Sequence, residues 1–159
     1  KGLRGAVTEC WPKVAVQRCT VHKLRNLEAH APKRLHEELR ADYHAIVYAE
    51  SEQAARGAWL KFTAKWKKQC PAVAESLEEA GTELLAFYRF PESQWKGLRT
   101  TNIVERVNEE FRRRVKTQAV LPSEDSALLL LYGLAASGQL KFRKLDGYQE
   151  LDRVGREAA

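Results

Sequence analysis

A single β-prone run, Val14-Ala15-Val16, stands in a chain that otherwise reads as helix. Its position after Pro12 and before a helical pattern at Val21 gives it room for one short strand ending at Gln17-Arg18-Cys19. A strand with no second strand to pair with leaves its backbone N–H and C=O groups without partners. This one feature therefore restricts the chain to a mainly α fold with one or few β-strands, and predicts that the pairing strands lie on polypeptide upstream of Lys1. The chain carries no Met and opens on a helical pattern, which points the same way and suggests a fragment.

The rest of the pattern is helical. Leu3, Ala6, Val7, Cys10 and Trp11 recur at helical spacing, so residues 2–11 read as a short amphipathic helix stopped by Pro12. Pro32 suits a first helical position, and Leu35, Leu39, Tyr43, Ile46 and Val47 form one apolar stripe behind it. Ser51 is an N-cap for a helix that places Trp59, Phe62 and Trp66 together. Cys70-Pro71 breaks that helix, a shorter one follows to Ala80, and Gly81 is the expected stop. Leu84, Leu85, Phe87, Tyr88 and Phe90 make an apolar, aromatic stretch ended by Pro91. Residues 92–100 read as a loop carrying Trp95, residues 101–116 as a strong helix, and Ser123 as the cap of a last helix with Leu128 to Leu131 and Leu134 on its face. The tail past Leu151 is expected to be loosely ordered.

A hydrophobic fraction of 44% with 30% charged residues is a soluble globular profile, and no apolar run approaches the roughly 20 residues a bilayer demands. Nothing at the N-terminus resembles a secretory signal. The net charge of +6 and a pI near 9.3 fit a nucleic-acid partner as well as a plain basic surface. Three widely spaced cysteines, Cys10, Cys19 and Cys70, fit a reducing compartment better than a disulfide framework.

The segment Thr100-Thr101-Asn102-Ile103-Val104-Glu105-Arg106-Val107-Asn108 and the arginines Arg112, Arg113 and Arg114 carry the most chemistry. On a helix, Val104, Val107, Phe111 and Val115 share a face that should be buried. Glu105 lies about a quarter turn from its centre, with Arg112 and Lys116 on its side. A carboxylate at the edge of a buried face is where a metal ligand in a cleft would sit. Arginine forks one or two turns further on suit phosphate. Two plainer readings stand beside this: Asn102 and Glu105 have capping-box spacing, and the arginines can be a solvated helix face.

Gln17-Arg18-Cys19-Thr20-Val21-His22-Lys23-Leu24-Arg25-Asn26 is the second motif. Cys19-x-x-His22 could be half of a zinc site, but no second pair with ligand spacing follows, and a packed Cys with a hydrogen-bonded His explains it equally. Trp95 is either a core plug or a stacking platform for a base. No Gly-rich phosphate loop, nucleophile elbow or paired HxxxH occurs, which disfavours kinases, serine hydrolases and zincins.

At these motifs the chain resembles the Mutator-like bacterial insertion-sequence transposases. They share the Lys1-Gly2-Leu3 start, the Gln17-Arg18-Cys19-x-x-His22-x-x-Arg25-Asn26 segment, the Thr100-Thr101-Asn102-x-x-Glu105-x-x-Asn108 segment with arginines after it, and the tail Lys144-Leu145-Asp146-Gly147. Tyr148 follows where that family tends to carry Trp. The resemblance implies an RNase H-like DDE transposase, in which two Asp and one Glu hold two Mg²⁺ (or Mn²⁺) ions. Glu105 would be that Glu, both catalytic and metal-binding. The second Asp would lie just before Lys1 and the first further upstream, so this chain alone is expected to bind no metal productively and to be inactive.

The implied organisation is an incomplete RNase H-like core. Residues 1–29 would close that core (helix, last strand, helix), residues 30–95 would be an all-helical insertion, and residues 96–159 the C-terminal helices and tail. The resemblance further implies transposon-end and target DNA as partners, with Trp95, Arg99, Asn102, Arg112, Arg113, Arg114 and Lys116 as the DNA-contacting set. Cys19, His22, Arg25 and Asn26 keep an uncertain role. A homo-oligomer and a bacterial cytoplasmic, nucleoid-associated setting without membrane attachment complete the expectation. The alternatives are a non-catalytic basic helical nucleic-acid-binding module and a helical interaction domain.

Overall fold

The structure, a computed structural model, describes residues 2–116, 121–140 and 146–150, with side chains from Gly5 onward. They are mainly helical: α1 (Gly2–Cys10), α2 (Thr20–His30), α3 (His36–Val47), α4 (Glu52–Gln69), α5 (Pro71–Ala80), α6 (Glu92–Leu98), α7 (Asn102–Val115) and α8 (Glu124–Ala136). Short 3₁₀ turns at Lys33–Leu35 and Tyr148–Glu150 and a longer 3₁₀ helix at Gly81–Arg89 complete the order. The chain falls into two units, residues 1–100 and 101–159. No described helix is long and apolar enough to cross a membrane. The tail past Leu151 lies outside the described residues.

In the first unit α3 packs on α4, α4 on α5, and α2 on both α5 and α3. The stripe read from the sequence is what joins them. Leu39, Tyr43, Ile46 and Val47 of α3 are buried with Leu27, Phe62, Trp66, Val73, Leu77 and Leu84. Each such side chain withdrawn from water contributes about 1.5–3 kcal/mol before entropy is counted. Two polar handles of the core find partners. Trp66 Nε1 donates to Asp42 Oδ2 at 2.9 Å, and Tyr43 Oη donates to the Thr20 carbonyl at 2.9 Å.

The punctuation residues act as their chemistry requires. Ser51 Oγ accepts from Ala54 N at 3.2 Å and caps α4. Pro71 opens α5, where its missing N–H costs nothing. Gly81 ends α5 at φ 58° and ψ −158°, a conformation essentially closed to residues with a Cβ.

Three expectations are corrected. The run Val14 to Gln17 forms no strand, and no strand forms among the described residues. Its polar groups find helical partners instead: Arg18 N donates to Glu83 O at 3.0 Å, and the Gln17 side chain binds the backbone of the Gly81–Arg89 helix. Residues 92–98, read as loop, form α6. Gln94 N closes a first turn onto Pro91 O at 2.9 Å, and Trp95 anchors the helix against Phe87 and Tyr88. In the second unit the face of Val104, Val107, Phe111 and Val115 is not buried: Val104 is 43% exposed and no residue of α7 is fully buried. Val107, Phe111 and Val115 are only partly buried, so the stripe is covered less completely than its pattern demands. Ser123 does cap α8, its Oγ accepting from Ser126 N at 3.2 Å.

Candidate functional site

Glu105 lies in the first turn of α7 and is exposed. The cap residue is Thr101 rather than Asn102, so the capping box expected between Asn102 and Glu105 is not the local geometry. Glu105 N donates to Thr101 O at 2.9 Å, and Thr101 Oγ1 donates to Glu105 Oε1 at 2.7 Å. The hydroxyl holds the carboxylate beside the helix start, where the positive end of the helix dipole favours an anion. This leaves a carboxylate on the surface rather than at the edge of a buried face.

From Glu105 the helix carries Arg112 and Lys116 within about 20° of the same line, and both are exposed. Arg113 and Arg114 behave differently. Both donate to Glu110 Oε2, Arg113 at 2.9 Å, and these two bonds, Arg114's first, hold the Glu110 carboxyl below its ordinary pKa. Arg114 also donates to the Gln139 carbonyl at 2.6 Å. It projects about opposite to Glu105, and its contacts brace the unit internally. Arg113 stays 70% exposed despite its ion pair. Asn102, the first residue of α7, is exposed on the same turn as Glu105.

The second motif divides by face. Gln17 donates through Nε2 to Leu84 O at 3.0 Å and accepts from Phe87 N at 2.8 Å. Arg18 reaches both oxygens of Glu79 at 2.8 Å and Glu83 Oε2 at 3.1 Å. Lys23, only 5% exposed, donates to Ser76 Oγ and Glu79 Oε2, each at 3.1 Å. These bonds raise the Arg18 pKa and lower that of Glu79, chiefly through the Arg18–Glu79 pair. Cys19 is half-buried and in no disulfide at the start of α2, while His22, Arg25 and Asn26 are exposed along it.

Trp95 and Arg99 are woven into the first unit. The indole Nε1 donates to Phe90 O at 2.8 Å, and the ring meets Phe87 and Tyr88 edge-on at 5.8 and 4.7 Å. Of the two readings of Trp95, the packed one accounts for these contacts. Arg99 donates to Val47 O at 2.9 Å and lies over the Tyr48 ring at 4.7 Å. Its carbonyl accepts from both Thr20 N and Thr20 Oγ1 at 2.9 Å. The residue just before the Thr-Thr-Asn segment is thus stapled to the start of the Cys-x-x-His helix. Among the described residues no three His, Cys, Asp or Glu side chains gather to hold a metal, and Glu105 is the carboxylate the motif leaves outward-facing.

The sequence matches the family described as "Transposase, Mutator family" over residues 1–144. The chain belongs to that family. This Mutator-family chain is 35% identical to the transposase for insertion sequence element ISRM5 of Rhizobium meliloti (strain 1021), across 95% of its own length and 38% of the relative's. It is 32% identical to the IS905 transposase of Lactococcus lactis subsp. lactis (strain IL1403), across 79% of this chain and 32% of that one. Against the IS1081 transposase of Mycobacterium tuberculosis (strain ATCC 25618 / H37Rv) it is 33% identical, across 85% and 32% respectively. The chain therefore spans between 32% and 38% of the length of these relatives.

Sequence reasoning missed Glu79, Glu83 and Asp42, three of the acids that hold cations of this Mutator-family fold in place. Glu79 and Glu83 sit at ordinary helical positions, and only contacts 56 to 65 residues apart in sequence give them a role. The signal that could have flagged them was the basic pair Arg18 and Lys23 on a segment that had to become partly buried.

Proposed function

We propose that the chain is the C-terminal part of a DDE transposase whose catalytic core is RNase H-like, with Glu105 as its metal-binding carboxylate. The observation that carries this reading is the family match running through the motif at residues 100–108; the place of Glu105 in the first turn of α7, held by Thr101 and aligned with Arg112 and Lys116, is compatible with it. A carboxylate oxygen suits Mg²⁺, a hard cation that keeps several waters. When bound, a pair of such ions would activate the attacking oxygen and stabilise the leaving one at a phosphodiester. Glu105 would supply one ligand oxygen, and carboxylates outside the described set would supply the rest. Arg112 and Lys116 would hold the DNA backbone along the same helix line, with Arg113 and Asn102 at its margins. Arg114, Trp95 and Arg99 maintain the shape of their units, and a DNA contact from them would be secondary.

One carboxylate cannot balance two divalent cations, so the 159-residue chain by itself is expected to cleave no DNA. In a full-length transposase, Glu105→Gln should abolish Mg²⁺-dependent cleavage of transposon-end DNA while affinity for that DNA changes less than about threefold. Cleavage that survives the substitution overturns the assignment. If Glu105 merely steadies the helix start, the same variant will keep its activity and lose about 1 kcal/mol or less of stability.

A further inference from the structure

The helix that carries the Cys-x-x-His motif has a second face, which the role of Glu105 does not use. Six cations of the first unit are matched with acids: Arg18 and Lys23 with Glu79, Arg40 with Glu28, Arg56 with Glu52, Lys65 with Glu38 and Asp42, and Lys67 with Glu78. Arg25 on α2 and Lys33 and Arg34 in the turn that follows are exposed, and none forms an ion pair among the described residues. The one acid within α2, Glu28, is already engaged by Arg40 at 2.5 Å. His22 and Asn26 are exposed on the same helix and add hydrogen-bonding groups.

We propose that Arg25, Lys33 and Arg34 form a duplex-DNA backbone-binding face on the helical unit, separate from the Glu105 helix. Arg25 lies about 7.5 Å of helix rise before His30, and four more residues lead through Lys33 to Arg34, so the backbone positions of the cations fall within roughly 20 Å of one another. That is a little over half a turn of duplex, whose strand offers a phosphate every 3.4 Å of rise. Cations left without internal acids pay no exchange penalty on meeting phosphate, unlike Lys65 or Arg56, which would first leave a carboxylate behind. Guanidinium forks at Arg25 and Arg34 match phosphate oxygens in pairs, and Lys33 adds a point charge. The face reads no base sequence, because backbone contacts position a duplex without specifying it. This inference rests on DNA being the substrate.

The test is binding of this chain to a random-sequence 30-base-pair duplex, followed by fluorescence anisotropy across a salt series. Each phosphate contact contributes about 0.9 to the slope of log affinity against log salt. Replacing Arg25, Lys33 and Arg34 by Ala should therefore lower that slope by roughly 2.7. Between about 50 and 200 mM salt, the parent then loses roughly 40-fold more affinity than the variant. Two controls run alongside: Arg112→Ala with Lys116→Ala, and the equally charge-depleted Lys61→Ala, Lys68→Ala and Lys96→Ala. All the substituted side chains are exposed, and far-ultraviolet circular dichroism checks that each variant is folded. An unchanged slope in the α2 variant overturns the proposal, and a loss confined to the Arg112 and Lys116 variant does so while leaving the α7 reading intact. An equal effect from the control triple also overturns it, since net charge alone would then explain the loss. No duplex binding by the parent removes both readings together.

Discussion

Gln17 shows how much can hang on one amide. Its oxygen satisfies the N–H of Phe87, a residue with no exposed surface, while its nitrogen satisfies the carbonyl of Leu84. Gln17→Leu should cost about 2 kcal/mol, since it orphans a buried donor as well as deleting bonds. The urea midpoint should fall with an unchanged slope. At Glu79 the prediction concerns acid. Its carboxyl pKa is held below the ordinary value by Arg18 first and Lys23 second. The stability it adds is present above that ordinary value and is lost as pH falls through the lowered one. Glu79→Gln should flatten the acid limb of a stability–pH profile and leave the neutral-pH plateau lower; a profile that keeps its slope would contradict this. The letters of the Gln17–Asn26 motif were visible in the sequence. Their division into an inward set and an outward set was not, because the partners lie 53 to 70 residues away.

Helices with local signals were legible, and elements fixed by distant contacts were not. The stripe from Leu39 to Val47, the Ser51 and Ser123 caps, and the Cys70-Pro71 break all act within one or two turns of their own position. The segments at 14–17 and 92–98 were misread because tertiary partners decided them: the Gly81–Arg89 helix captured the first, and packing of Trp95 on Tyr88 ordered the second. That 3₁₀ helix runs for 9 residues, long for its kind, and carries four buried residues that hold its poorer hydrogen-bond geometry in place. Gly81 is its hinge with α5. A Cβ there would meet no atom within 4 Å, so the penalty is purely of the backbone at φ +58°. Gly81→Ala should destabilise by about 1–3 kcal/mol, read as a lower melting temperature without a new cavity.

At the scale of the molecule, the first unit holds a closed core, whereas among the described residues of the second only Leu140 is buried. Leu128, Leu129 and Tyr132 of α8 are between 58% and 72% exposed, and Val104 on α7 is also open to solvent. The sequence announced α7 and α8 through periodicity and caps. Neither signal shows that no residue of α7 or α8 becomes fully buried, since a stripe states what wants burial and not what supplies it. The family and the position of Glu105 came from motif order, and the alignment of Glu105 with Arg112 and Lys116 followed from helical spacing alone. The remaining claim is that the Glu105 carboxylate touches a metal, and a ligand swap in a full-length transposase tests it most directly. With Glu105→Cys, a sulfur ligand should fail with Mg²⁺, a cation that prefers oxygen, and regain cleavage of transposon-end DNA with a softer ion such as Mn²⁺. Full activity of the Cys variant in Mg²⁺, or an equal loss in both metals, would contradict the account.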